Sequence, residues 1–367
     1  MRIGTTTQAD RRVTMRFALD DGTPGEITAD LSVDIEVDTG PDPLVVAGLL
    51  PAMRLGETLH ADRPVSARLL AGTDHVQEVL LAWDRAQNPE HPAFRRIRID
   101  AEPVERPRLP GRGTACFFTG GADSFHSVLS HLHEIDALIY VRGYDRPPEH
   151  TPLTDEIHRR LQDAADQLGL PLIEVSTNLR AALSDRHRVG WPDYHGAALA
   201  FIGQLLSPRF SRVLIPSTNT YTHLVPLGSH PLLDPWWSSE RVEFVHDGAD
   251  ASRTEKLKAI AQHRAARQHL RVCWQNLDGR YNCGRCEKCV RTGVGALVAG
   301  VEAFESLPTP HPRLVAATRS KGAGVAWLEL RDGLRRRPGL LPWRLATEWV
   351  VLRRRLKGYP LIGRWLG

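Results

Sequence analysis

The chain predicts an α/β fold: a doubly wound parallel sheet, preceded by a small α+β unit and followed by a helical extension. Three observations carry that expectation. From Thr114 to about residue 216, short apolar runs alternate with amphipathic helical segments. A diglycine, Gly120-Gly121, separates the first of those runs from the first of those helices. Ahead of them, residues 13–19 and 27–35 alternate in polarity, as half-buried strands do.

Composition narrows the class. The 367 residues are 42% hydrophobic and 25% charged, an ordinary balance for a soluble globular protein. No stretch approaches the 18 or so uninterrupted apolar residues of a membrane span. The start, Met1-Arg2-Ile3-Gly4-Thr5, lacks the basic-then-apolar pattern of a signal peptide, so a cytoplasmic location is expected. Five cysteines, four of them between 273 and 289, are too clustered for a disulfide framework.

The elements follow in order. Residues 1–110 are expected to form an N-terminal α+β accessory domain. Its two alternating strands flank the turn chemistry of residues 20–25. A helix is expected over 44–59, broken or kinked at Pro51, and a further strand over 94–100. No catalytic constellation stands out there. The Pro- and Gly-bearing stretch 103–113 reads as a linker. The main domain, 114–300, then shows strands at 137–141, 172–175 and 212–216, with helices over 153–168 and 195–206. In such sheets ligands sit beyond the carboxyl ends of the strands. The diglycine turn and the loops at 143–145, 176–178 and 217–219 are therefore expected to face one crevice. Residues 217–239 make a long polar and aromatic loop. Two readings stand: a substrate lid with His230 and Asp234 as polar contacts, or a packed loop whose Trp236 and Trp237 cover a core edge.

The diglycine stretch carries the first chemical signal. In Thr119-Gly120-Gly121-Ala122-Asp123-Ser124 an apolar run enters two glycines and a helix follows. Backbone N–H groups can approach an anion that no Cβ obstructs, and the helix dipole adds positive potential at the same point. Thr119 and Ser124 offer hydroxyls, and Asp123 can hold a metal or its water. This is the logic of a phosphate site, although no Gly-Lys-Ser/Thr follows, so it is not the P-loop of ordinary NTPases. Further on, Ser252 and Glu255 have capping-box spacing at the start of a helix that carries Lys256.

The second signal is Cys273, Cys283, Cys286 and Cys289. The last three are separated by two residues each, and nine residues precede them after Cys273. Four thiolates with no other nearby ligand suit a closed tetrahedral Zn(II) site, an iron–sulfur cluster being the minor alternative. A closed four-thiolate site has no open position, so it would hold structure and not activate water. Arg280, Arg285, Lys288 and Arg291 would offset the thiolate charge.

The order Thr-Gly-Gly-Ala-Asp-Ser resembles the Ser-Gly-Gly-x-Asp-Ser signature of the PP-loop ATP pyrophosphatases. Together with Lys256 and the pattern Cys-x9-Cys-Gly-x-Cys-x2-Cys, it is similar to 7-cyano-7-deazaguanine synthase over roughly residues 114–300. The resemblance implies a sheet of the adenine nucleotide alpha-hydrolase-like type and a structural zinc. It implies ATP and Mg(II) bound at Thr119, Gly120, Gly121, Asp123 and Ser124, with Lys256 near the phosphates. It also implies a chemistry: ATP adenylates a small-molecule carboxylate, pyrophosphate leaves, and a nitrogen nucleophile displaces AMP to give an amide or nitrile. The chain departs from the family in several places. Phe125-His126 replaces the small hydroxyl residues usual after Asp-Ser, and the long 217–239 loop has no obvious counterpart. Arg2 stands where some amide-forming relatives carry a glutaminase cysteine, so no built-in ammonia source is visible.

Residues 301–367 form the basic helical extension. From Arg331 onward there are ten Arg or Lys against two acids. An acidic carrier protein, RNA and an anionic membrane surface are the candidate partners; a C-terminal helix with a solvated basic face is the plainer reading. Oligomeric state is open, a homo-oligomer included. Two rival functions remain at this stage. One is an adenylation-dependent sulfur transferase acting on tRNA or a small molecule, for which only Cys116 is left outside the metal set. The other is a nucleotide-binding module without turnover.

Overall fold

The structure, a computed structural model, describes residues 1–107, 109, 112–145, 149–301, 304–320 and 324–357. Part of the expected linker (108, 110 and 111) and the end of the basic tail (358–367) lie outside the described residues. The strands are β1 (Arg2–Ala9), β2 (Arg12–Ala18), β3 (Pro24–Leu31), β4 (Leu59–Ala61), β5 (Val65–Ser66), β6 (Ile99–Asp100), β7 (Pro103–Val104), β8 (Gly113–Phe117), β9 (Ala137–Arg142), β10 (Leu172–Thr177), β11 (Phe210–Pro216) and β12 (Glu243–Asp247). The helices are α1 (Asp42–Leu55), α2 (Ala67–Gln87), α3 (Ala122–Ser130), α4 (Pro152–Leu168), α5 (Trp191–Leu205) and α6 (Arg253–Ile260), then α7 (Arg264–His269), α8 (Glu287–Ala299), α9 (Pro312–Ala317), α10 (Gly324–Arg335) and α11 (Leu341–Lys357).

The chain divides into two compact units. The first comprises Met1–Phe118, Ser130–Glu149 and Leu170–Asp250; the second comprises Thr119–Leu129, His150–Gly169 and the chain from Ala251. A ten-stranded sheet organises the first unit, in the order β12-β11-β8-β9-β10-β3-β2-β1-β4-β6. Strands β8 to β12 are mutually parallel, as an apolar, twice-covered run requires. Counted from β8, their order is 5-4-1-2-3. The winding reverses between β8 and β11, and the chain leaves β8 directly into the diglycine turn. This is an α/β architecture with a large, mostly parallel sheet, compatible with a Rossmann-like wound sheet.

Within residues 1–110, β5 and β7 form a separate two-stranded parallel sheet, while the remaining strands belong to the large one. Strand β3 pairs antiparallel with β10, so the β1–β2–β3 meander extends the same sheet. Thr28 N–H and the Glu26 carbonyl bind the Asn178 amide, which ties the loop after β10 to that edge (2.8 and 3.2 Å).

Helix α1 runs through Pro51 without a break, contrary to the expected kink. Proline removes the N–H that would serve the carbonyl four residues back. The buried Tyr194 hydroxyl donates to that carbonyl, Ala47, at 2.6 Å, so the helix continues with its backbone satisfied. The strand expected over 94–100 shortens to Ile99–Asp100, and β1, α2 and β12 add elements not expected from the sequence. The long loop after β11 is packed: Trp237 is buried in the core and Trp236 stacks on His75.

The second unit is helical. Thr151 caps α4 in a capping box, and Gly169 ends it at φ +69°. Helices α8 to α11 enclose a separate core of Val290, Val294, Val315, Trp327, Leu330 and Val350. Cys286 caps α8.

Candidate functional site

The turn from Thr119 to Ser124 lies wholly in the second unit. Gly120 sits at φ +70°, and a Cβ there would come within 2.8 Å of Leu161 Cδ2, so the position needs glycine twice over. Its carbonyl accepts from Arg271 N–H at 2.7 Å, which pins the turn to the end of α7. Ser124 Oγ donates to the Gly121 carbonyl (3.1 Å) and accepts from Thr119 N–H (3.4 Å). Its hydroxyl is thus used to close the turn, whereas Thr119 is exposed. The first intrahelical bond of α3 is made by Phe125 N–H to Gly121 (2.9 Å). The amides of Ala122, Asp123 and Ser124 therefore belong to the helix start, which has no intrahelical acceptors. They supply the positive end of the dipole.

Cations gather at that point. Arg253 Nη1 lies 2.5 Å from Asp123 Oδ2, and Lys256 Nζ lies 3.4 Å from Asp123 Oδ1. Lys256 is almost fully buried, held on α6 by the capping box of Ser252 and Glu255 that the sequence spacing predicts. Burial would raise the Asp123 carboxyl. Arg253, Lys256 and Lys288 outweigh that effect and hold it below the ordinary carboxylate range. Arg291 belongs to the same field: burial first, and then Arg253, depress its guanidinium. Four cations thus gather here against three carboxylates, since Glu287 and Glu329 act on Arg291 as Asp123 does. The surplus positive charge, set against the start of α3, favours a polyanion.

Helix α8 carries Lys288 and Arg291 and contributes Cys289, with its cap Cys286, to the cysteine cluster. The ligand atoms of Cys273, Cys283, Cys286 and Cys289 all lie within 4.8 Å of one another and are buried. Measured sulfur pairs are 3.4 Å (Cys273–Cys283), 3.7 Å (Cys273–Cys286) and 4.0 Å (Cys283–Cys289). A tetrahedron with Zn–S bonds near 2.3 Å has edges of about 3.8 Å, so the set fits zinc. Amides point at three of the sulfurs: Asn276 N–H at Cys273 (3.1 Å), Cys286 N–H at Cys283 (3.3 Å) and Cys289 N–H at Cys286 (3.5 Å). Such donors stabilise thiolate and orient the ligands. Without a cation in the set, bonds from the Cys286 and Cys289 thiols pull Cys273 far down, while Cys273 pushes Cys286 up to about 11 and Cys289 higher still. A divalent ion removes that competition by taking all four as thiolates.

Two asparagines brace this loop. Asn282 Oδ1 accepts from Val272 and Cys273 N–H (2.9 and 3.1 Å), and its Nδ2 donates to the Leu270 and Ser306 carbonyls (2.8 and 2.9 Å). Asn276, at φ +46°, donates to the Arg280 and Tyr281 carbonyls. Gly284 turns the chain at φ +69°.

All ten sequence-selected residues therefore fall in the second unit, at two places. Thr119, Gly120, Gly121, Asp123, Ser124 and Lys256 form the turn and its cation, and the four cysteines form the cluster. Sequence reasoning missed Arg253, although it directly follows the cap Ser252. It gave Lys288 and Arg291 to the thiolates alone.

The first unit holds a different polar cluster after β11. His246 Nδ1 lies 2.7 Å from Asp234 Oδ2, and its Nε2 lies 2.8 Å from Ser217 Oγ. Asp234 also accepts from Ser229 Oγ and His230 N–H (2.8 and 3.3 Å). The Ser–His–Asp order suggests a nucleophile, but Ser217 is buried and donates its proton to the Asn219 carbonyl at 2.6 Å. The cluster clasps the loop. That packing, with Asp234 and His230 both buried, favours the packed-loop reading over a lid. Cys116 is also fully buried, and burial drives its thiol well above the ordinary value.

Comparison with known proteins finds no matching family model, no matching curated protein and no matching solved structure.

Proposed function

We propose that the chain is an ATP-dependent carbon–nitrogen ligase of the PP-loop pyrophosphatase kind, with the sheet β8–β12 of the adenine nucleotide alpha-hydrolase-like type. The observation that carries this reading is the gathering of Arg253, Lys256, Lys288 and Arg291 about Asp123 at the amide-lined start of α3. A triphosphate tail matches that field in the sign of its charge. In the reaction a substrate carboxylate oxygen attacks the α-phosphorus, the bond to the β,γ-diphosphate breaks, and pyrophosphate departs. Lys256 and Arg253 stabilise the charge that builds on it. A nitrogen nucleophile then attacks the acyl carbon of the mixed anhydride and AMP leaves. Mg(II) would sit at Asp123 and supply further charge neutralisation to the phosphates. Zn(II) in the thiolate set would fix the loop that begins α8, and so the placement of Lys288 and Arg291.

The buried Cys116 disfavours a sulfur relay within the chain, because persulfide transfer needs an exposed thiolate. The test is ATP–pyrophosphate exchange across a panel of carboxylic acids, with product analysis. Exchange with AMP formation, reduced about 100-fold or more in Lys256→Met, is the expected result. Release of ADP, or a wild-type chain that binds no nucleotide, overturns the proposal.

A further inference from the structure

Helix α11 has two apolar faces. One is inward: Ala346, Val350 and Val351 are buried in the core that includes Trp327, Leu330 and Leu334. The inward face also carries Trp343, whose Nε1 donates to the Pro310 carbonyl at 2.8 Å. The other face is exposed. Leu341, Leu345, Trp349 and Leu352 are 49%, 55%, 43% and 48% accessible. At about 100° per residue they fall within one arc of about 80°. Exposed apolar residues scattered singly need no explanation, but four on one arc of one helix form a contiguous strip.

Arginines border that strip. Arg344 and Arg355 lie on one side of it and Arg353 on the other, by the same helical spacing; Arg344 pairs with Glu348, Arg353 donates to the Thr318 carbonyl, and Arg355 is exposed. Arg335 ends α10, and Arg336 and Arg337 follow it. The acid nearest the strip, Glu348, is held by Arg335 (3.3 Å) and Arg344 (3.5 Å), so its charge is already compensated. From Arg331 to Lys357 there are nine Arg or Lys against two acids.

We propose that this face of α11 seats the protein on an anionic lipid surface. The apolar arc would sink into the headgroup–acyl boundary while the exposed Arg355 and the net basic charge of the segment meet lipid phosphates, the division of labour of an interfacial helix. Trp349 lies in the arc, and tryptophan favours that boundary because one ring edge is polar and the rest is not. The inward face anchors the helix to the second unit, so the exposed strip is presented rigidly. Among the described residues no helix is long and apolar enough to cross a membrane; the contact is peripheral. A second copy is a poor occupant, because a two-fold contact through α11 would set these arginine borders against one another.

The experiment is sedimentation of the full-length protein with vesicles of phosphatidylcholine alone or with about a third phosphatidylglycerol. The expected result is binding at least about tenfold tighter to the anionic vesicles, weakened by high salt. Trp349→Glu should abolish it with helicity unchanged. Arg355→Glu, on the exposed border, should weaken it severalfold and serves should Trp349→Glu misfold. Failure to bind anionic vesicles overturns the proposal. So does binding indifferent to lipid charge, or a stable dimer lost in Trp349→Glu without vesicle binding. A tight complex with an acidic protein in place of vesicle binding has the same consequence.

Discussion

Asp234 in the first unit and Asp123 in the second are both carboxylates removed from most solvent, and they are satisfied in opposite ways. Asp234 accepts from Ser229, His230 N–H and His246, and His246 passes the contact to Ser217 and so to the Asn219 carbonyl. Every link ends on a partner inside the cluster. Asp123 has Arg253 and Lys256 in contact and Lys288 and Arg291 in its field, with Glu287 and Glu329 acting on Arg291 from the other side of the balance. A closed polar network fixes a loop, whereas cations set at a helix start give the positive potential on which the proposed function rests.

The difference can be broken in order of effect. Metal removal acts most strongly. Zinc binding in small thiolate sites is linked to about 10–16 kcal/mol of folding free energy. A chelator, or Cys289→Ser, should therefore abolish amide-exchange protection over residues 270–290 while β8–β12 stay protected. Loss of protection in the sheet as well would show that the metal supports both units.

Asp234→Ala comes next. It leaves the buried His246 and Ser229 without their acceptor, at a cost of about 3–5 kcal/mol. Thermal denaturation should report that loss, with nucleotide affinity of the folded fraction unchanged. A drop in affinity instead would make Asp234 part of the ligand site.

Two carboxylates then give pH dependences of opposite sign. Burial, opposed by Arg106 at 3.1 Å, pushes Asp42 up to about 6. The folded state holds that proton more tightly, so stability is greatest below about pH 4 and falls by up to about 3 kcal/mol as pH rises through 6. Asp123 is depressed, so its contribution is complete above about pH 4 and is lost as pH falls through its lower folded value. Asp42→Asn should flatten the first slope and Asp123→Asn the second, in stability measured against pH. The smallest effect is Ser252→Ala, which removes the cap that positions Arg253 and Lys256, at about 1 kcal/mol by chemical denaturation.

Much of this was legible in residues close together along the chain. Helix α4 and its Gly169 stop, the strands β9 to β11, and the Ser252–Glu255 cap follow from local spacing, because capping and amphipathic burial involve neighbours in sequence. The strand expected over 94–100 was mostly lost, since alternation alone does not supply a pairing partner. Helix α1 kept its course at Pro51 because Tyr194, 143 residues downstream, serves the orphaned carbonyl. Arg253 escaped notice because its importance depends on Asp123, 130 residues earlier.

By itself the sequence determined the alternating strand and helix pattern, the glycine-bearing turn and a cysteine spacing able to surround one metal ion. Each depends on backbone torsion or short loops, which adjacent residues set directly. Only tertiary structure decided that β1–β3 would join the sheet of β8–β12, that Asp123 would lie among several cations, and that α11 would turn one apolar face inward and leave another bare. Strand pairing, charge balance and burial are properties of segments brought together from distant parts of the chain, and no local window contains both partners.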